Sequence, residues 1–328
     1  MKVIQVGIGG MGGVWLETVL ASQTVEFAGF VEVNPSIADA QAAKYGLDRS
    51  LMFPSLDQAL ASVSADAVID VTPPRFHKSI SLAAMDAGMP VLSEKPLADT
   101  LADAQAIVDK ANATGVLHMV AQNYRHSQSA KTLKHTLQTG DMGAIDSVTV
   151  EFFKGPHFGG FREEMPYPLI IDMSIHHFDM MRYFLDSDPT FVFGRSWNPS
   201  HSWYKGDASA AVLFDFGNGA VIAYNGSWCS AAQETAWSGT WRFECEKAAV
   251  IMREDQVYVQ RKDTSQAELV RMEPLALQNV AQAYLLNEFY EAVTSGKAPE
   301  TSCQHNIHSL AMVFHAVESF QSGTRIAF

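Results

Sequence analysis

Two patterns of apolar and polar positions follow one another along the chain. Up to residue 121, short runs rich in Val and Ile (2–8, 26–31, 67–71, 91–93 and 117–121) alternate with stretches of helical period (11–22, 36–45, 55–61, 76–87 and 101–114). Strands that are apolar throughout and separated by helices belong to a parallel sheet covered on both faces. With right-handed crossovers, the pattern predicts an α/β, Rossmann-type doubly wound sheet. From Gln122 onward the pattern changes. A helix over 129–138, ending at Gly140 and Gly143, precedes a longer strand at 145–154. A loop at 155–168, rich in Gly, Pro and aromatic residues, leads into a helix that runs to about Leu185. Strands follow near 190–197, 208–216, 220–227, 240–244 and 257–260, and Gly217-Asn218-Gly219 marks a hairpin between two of them. Helices at 279–294 and 306–320 close the chain. Strands joined in sequence by turns imply a mostly antiparallel sheet. The expected organisation is a doubly wound domain over residues 1–121 and an α+β domain with an open-faced sheet over residues 122–328.

Composition narrows the class of partner. The 328 residues suit two domains, and 47% hydrophobic with 18% charged residues is an ordinary globular composition. Lys and Arg number 23 against 36 Asp and Glu, a formal charge of −13. A field of that sign repels a phosphate backbone and an anionic membrane surface, so neither nucleic acid nor membrane is the expected partner. No run approaches the ~18 apolar residues of a membrane span, and the first residues lack a signal-peptide core. The three cysteines, Cys229, Cys245 and Cys303, are widely spaced and odd in number. They argue for a reducing, cytoplasmic setting and against a disulfide framework or zinc site.

Three groups of residues carry chemistry. Gly7-Ile8-Gly9-Gly10-Met11-Gly12 matches G-x-G-x-x-G directly after the first strand and opens a helix. There, backbone N–H groups and the helix dipole receive a pyrophosphate. Glu32 ends the second strand, where a carboxylate accepts both ribose hydroxyls of an adenosine and repels a 2′-phosphate. This selects NAD over NADP. Glu94-Lys95-Pro96 lies just beyond a parallel strand, at the edge where such sheets bind ligands. A lysine there can hold a substrate hydroxyl and stabilise charge on its oxygen. Asp172, His176 and Asp179, at i, i+4 and i+7, share one stripe of a largely apolar helix. That stripe fits a general base tuned by a carboxylate, a metal site of one His and two carboxylates, or a structural histidine satisfying a core acid.

Together these residues resemble the Gfo/Idh/MocA family of oxidoreductases over essentially the whole chain. The resemblance rests on the glycine loop, Glu32, Thr72-Pro73 followed by His77, Glu94-Lys95-Pro96, Asn123-Tyr124-Arg125, and Asp172 with His176 and Asp179. It implies that Lys95, Asp172 and His176 form the catalytic set. Thr72, Pro73 and His77 border the cofactor, and Glu94, Lys95 and Gln122 complete its binding residues. No metal is then required. The family's triple glycine before the catalytic helix is replaced by Pro166-Tyr167-Pro168, and the glycine usual between its Asp and His is Ser174. These departures bear on the substrate rather than the chemistry. The resemblance implies reversible oxidation of a secondary alcohol on a sugar, cyclic polyol or sugar derivative, with Arg125, His157, Arg162, Tyr167 and His305 as substrate-choosing residues. It also implies a homodimer or homotetramer joined through the second domain's sheet. A glycosidase using NAD transiently and a non-catalytic cofactor sensor stand as rival readings.

Overall fold

The computed structural model describes residues 1–139, 142–262 and 268–328, which divide into two compact units. The first comprises Met1–Asn123 and Asn279–Ile307; the second comprises Tyr124–Gln278 and His308–Phe328.

In the first unit, β1 (Lys2–Val6), β2 (Glu26–Val31), β3 (Met52–Phe53), β4 (Ala67–Asp70), β5 (Val91–Glu94) and β6 (His118–Ala121) form one sheet in the order β3-β2-β1-β4-β5-β6. Every pairing is parallel. The order reverses between β1 and β4, and such switch points are where doubly wound sheets take ligands. Only β3 escapes the sequence reading, because two residues leave no apolar run.

The expected domain boundary needs one correction: Asn279–Ile307 belongs to the first unit, not to a continuous second domain. The helix Ala281–Ser295 buries Leu285, Leu286 and Phe289 against Trp15, Val19, Met119 and Ala121. Beyond it, the Val120 N–H donates to the Thr301 carbonyl at 2.8 Å. Helical period reveals such an apolar stripe but not which surface it covers.

The second unit is built on nine strands: β7 (Ile145–Phe153), β8 (Pro189–Trp197), β9 (Ser209–Phe216), β10 (Val221–Ser227), β11 (Thr240–Cys245), β12 (Ala248–Arg253), β13 (Gln256–Arg261), β14 (Val270–Arg271) and β15 (Ile326–Ala327). Their order is β14-β13-β12-β11-β7-β10-β9-β8-β15. All pairs are antiparallel except β7 with β10. The expected hairpin at Gly217-Asn218-Gly219 joins β9 to β10. By contrast, β12 was not expected. Its turn into β13 runs through Glu254 and Asp255 at φ 50° and 56°, a left-handed pair with no glycine or asparagine to signal it. One face of the sheet is core, with Val148, Val150, Phe152, Phe214, Ile222, Tyr224 and Phe243 buried. The other leaves the paired Phe193 and Leu213 exposed.

The helix expected over 129–138 spans Gln128–Gln138; its proposed stop at Gly140 lies outside the described residues. The helix ending at Leu185 differs more. It is π-helical over Leu169–Ser174 and α-helical over Ile175–Leu185. The Ser174 hydroxyl donates to the Leu169 carbonyl five residues back (3.0 Å) and lies 2.9 Å from the Tyr224 hydroxyl, pinning the wide turn. Among the described residues no helix is long and apolar enough to cross a membrane.

Candidate functional site

The glycine loop of the first unit is shaped by close approach. Gly7 has φ +84°, and a Cβ there would stand 2.7 Å from the Val71 carbonyl oxygen; one on Gly12 would stand 2.5 Å from that of Gly7. Gln5, which sequence reasoning missed, is wholly buried. Its side-chain amide donates to the carbonyls of Gly7 (3.1 Å) and Gly12 (2.9 Å), tying the two ends of the loop together. The helix Gly10–Leu20 begins at Gly9 with no side-chain cap, and an N-terminus of this kind suits a phosphate group. Gly7, Ile8, Gly9, Gly10, Met11 and Gly12 thus make a single turn. Glu32 sits beside it: its carboxylate accepts from the N–H of Ile8 (3.3 Å) and of Asn34 (2.9 Å). A turn that admits no Cβ at Gly7 or Gly12, a helix N-terminus without a side-chain cap and a carboxylate at the end of β2 fit NAD. Replacing Glu32 with Ala removes the carboxylate that the sequence reading assigns to the adenosine ribose. It is expected to weaken NAD about 10–100-fold, the scale of hydrogen bonds to a charged group, with little effect on NADP. Titration of both cofactors checks this, and an unchanged NAD-to-NADP ratio would refute the role.

At the next strand ends the structure sorts the expected cofactor residues. The hydroxyl and N–H of Thr72 both donate to Asp70 Oδ1 (2.7 and 3.0 Å), and Pro73 precedes the helix Pro74–Asp86. Lys95 is half-buried in the turn after β5, and Gln122 is buried beyond β6. Two of these side chains are turned inward. The Glu94 carboxylate is a strut: Oε1 accepts from the Trp15 indole (2.8 Å) and Oε2 from the Lys95 N–H (3.1 Å). Burial raises its pKa, against the pull of the indole hydrogen bond and of Lys95. His77 is wholly buried behind the loops, with both ring nitrogens on backbone carbonyls.

In the second unit the π-helical turn takes Asp172 off the α-helical register that His176 and Asp179 share, because such a turn holds an extra residue. Asp172 Oδ2 accepts from Arg162 Nε at 2.7 Å. The Arg162 guanidinium lies over Phe158 and Phe161 (5.4 and 4.9 Å). The His176 ring stacks on Tyr124, centroids 4.0 Å apart and 18° from parallel. Burial, then the charges of Asp255 and Asp172, raise the Tyr124 hydroxyl's pKa, so it stays protonated.

Asp179 has a different task. Its carboxylate accepts from Arg125 Nε (2.7 Å), Arg125 Nη2 (2.5 Å) and the Ser309 hydroxyl (2.8 Å). Arg125 is therefore a buried strut rather than a substrate contact, its side chain 3% exposed. The metal reading loses this carboxylate, and among the described residues no group of three or more His, Cys, Asp or Glu side chains is placed to hold an ion. His177 belongs to the core, between Tyr224 and the Trp237 carbonyl. Burial lowers its pKa to about 4, so it is neutral near pH 7. Of the remaining substrate candidates, His157 is exposed and stacks on Trp203 at 3.8 Å, Tyr167 lies against Phe320 at 6.0 Å, and His305 is half-buried in the first unit.

Comparison with known proteins agrees with this architecture. Residues 1–122 match the oxidoreductase family with an NAD-binding Rossmann fold, and residues 130–251 match the GFO/IDH/MocA C-terminal domain. The chain belongs to the GFO/IDH/MocA family and is an NAD-dependent oxidoreductase. It is 32% identical to the uncharacterized protein y4oX of Sinorhizobium fredii, covering 98% of this chain and 94% of that one. It is 26% identical to scyllo-inositol 2-dehydrogenase (NAD(+)) of Bacillus subtilis, covering 81% and 78%. An oxidoreductase from Agrobacterium radiobacter, solved with NAD+, L-tartaric acid and magnesium, shares the fold with a TM-score of 0.90 at 19% identity, covering 100% of this chain and 98% of that one.

Proposed function

We propose that the protein oxidises, reversibly, a secondary alcohol on a cyclic polyol, sugar or sugar derivative. The observation that carries this reading is Lys95. It stands at the C-terminal end of β5 in an NAD-binding sheet, in a turn whose flanking Glu94 is fastened to Trp15. A relative that acts on an inositol supports the substrate class. The Gly7–Gly12 turn holds the pyrophosphate, and Glu32 holds the adenosine ribose. When bound, NAD supplies the hydride acceptor. Lys95 donates a hydrogen bond to the substrate hydroxyl oxygen and steadies the charge that grows on it as the proton leaves. His176, its ring face held by Tyr124, takes that proton as general base. Asp172 supplies a carboxylate for the cation that forms. Arg162, fastened to Asp172 beside Phe158 and Phe161, chooses among substrates.

Reduced-nicotinamide absorbance with a panel of polyols, aldoses and glycosides tests the reading. Signal with NAD supports it. Silence across the panel, with NAD bound and glycoside cleaved, would replace it with transient-redox hydrolysis. The three cysteines are free thiols, which suits the reducing cytoplasm. The uncovered sheet face, where Phe193 and Leu213 are 47% and 48% exposed, supports a homodimer or homotetramer through that sheet; light scattering measures which.

A further inference from the structure

His77 presents an unusual pair of contacts. Nδ1 lies 2.8 Å from the Pro96 carbonyl oxygen, and Nε2 lies 2.8 Å from that of Thr72. A carbonyl oxygen only accepts, whereas a neutral imidazole has one N–H and one lone pair. In either neutral tautomer one contact would set lone pair against lone pair at hydrogen-bond distance. Both contacts are hydrogen bonds at once only when the ring carries a proton on each nitrogen.

The surroundings suit a buried cation, which needs nearby negative charge. The groups it acts on are Asp70 at the end of β4, Glu94 at the end of β5 and His118 on β6, and Lys95, which acts on Glu94, follows in the next turn. Burial holds the pKa of both Asp70 and Glu94 above the usual carboxylate range; the charge of His77 opposes it, next after burial at Asp70 and behind Trp15 and Lys95 at Glu94. His118 is driven to about 3 by burial and then by His77, so it stays neutral, 2.9 Å from the Ser81 hydroxyl.

The placement explains what the contacts do. β4 and β5 are paired up to Asp70 opposite Ser93, where their register ends. His77, on the helix Pro74–Asp86, reaches between the two chain segments beyond that point and hydrogen-bonds one carbonyl of each. Glu94 and Trp15 fasten the second turn to the first helix.

We propose that His77, as an imidazolium, is a positioning residue that locks the Thr72-Pro73 turn to the Lys95-Pro96 turn and so sets the cofactor shelf and Lys95. The second half of this statement rests on the role proposed for Lys95; the first half does not. His77 touches neither reacting atom, so it acts through the two turns.

The test measures NAD binding without substrate, so a failure of the alcohol-oxidation reading leaves it intact. His77→Gln keeps a single side-chain donor group and carries no charge. At neutral pH the variant is expected to bind NAD about tenfold more weakly, the loss of one charge-assisted hydrogen bond. An unchanged NAD affinity in the variant would overturn the proposal. ¹⁵N-histidine NMR of the natural protein reads the ring itself, whether or not the variant folds: imidazolium shifts at both His77 nitrogens at neutral pH support the proposal, and a neutral tautomer overturns it.

Discussion

Lys95→Ala is expected to lower kcat by about 10²–10³-fold while the dissociation constant of NAD moves only a few-fold. The size is that of removing one donor aimed at an oxygen where charge develops. The selectivity follows from where the residue sits. In the proposed reading the pyrophosphate and adenosine contacts come from the Gly7–Gly12 turn and Glu32, at the ends of β1 and β2, whereas Lys95 follows β5. Lys95→Arg restores a cation but replaces a compact donor with a planar fork, so it should recover only part of the loss. His176→Asn, which removes the base, should cost about 10²–10⁴-fold. The double variant should be little worse than the poorer single, because residues acting on one proton transfer are not additive. Steady-state kinetics with a substrate from the polyol panel, together with NAD titration, make the measurement. A Lys95→Ala enzyme with unchanged kcat would remove Lys95 from the chemistry. A loss confined to NAD affinity would recast it as a cofactor ligand.

What was legible in the sequence follows from the range of each interaction. The parallel sheet was legible because its signals are local: every strand but β3 is an apolar run, and the helices between them carry their own period. The glycine turn was legible because its φ and close approaches can be met only by glycine, as at Gly7 and Gly12. Pairings distant in sequence were not. Gln5 looks like any strand residue until its amide is seen gripping Gly7 and Gly12. Glu94 and His77 stood out as family positions, but only the fold shows their side chains turned inward, onto Trp15 and onto two carbonyls. The stripe of Asp172, His176 and Asp179 assumed an α-helix throughout. Ser174 bonded to Leu169 and Tyr224 marks the π-helical turn that breaks it. Glycine at 174 would lack that hydroxyl, so the departure from the family pattern is a structural device of this chain.

The largest expected effect on stability comes from Asp179→Ala. Arg125 and Asp179 are 3% and 1% exposed at their side chains, and their fork-on-fork geometry, 2.7 and 2.5 Å, is completed by the Ser309 hydroxyl. Removing the carboxylate strands a buried guanidinium. Its desolvation is then uncompensated, and breaking a buried pair this way costs about 3–5 kcal/mol. With a urea slope of roughly 2–3 kcal/mol per molar, the unfolding midpoint of the second unit should fall by about 1–2 M. Replacing both residues together, Arg125→Leu with Asp179→Leu, removes both charges of the pair beside Tyr183, while Arg182 keeps its bond to Ser309. It should recover much of the loss, since an apolar pair of similar volume often matches a buried ion pair. NAD affinity should stay within a few-fold in all of these variants, because the glycine turn and Glu32 belong to the other unit. A midpoint shift under about 0.2 M for Asp179→Ala would mean that the pair contributes no more than a solvent-exposed ion pair. Arg125 would then return to the substrate-choosing residues from which its burial removed it.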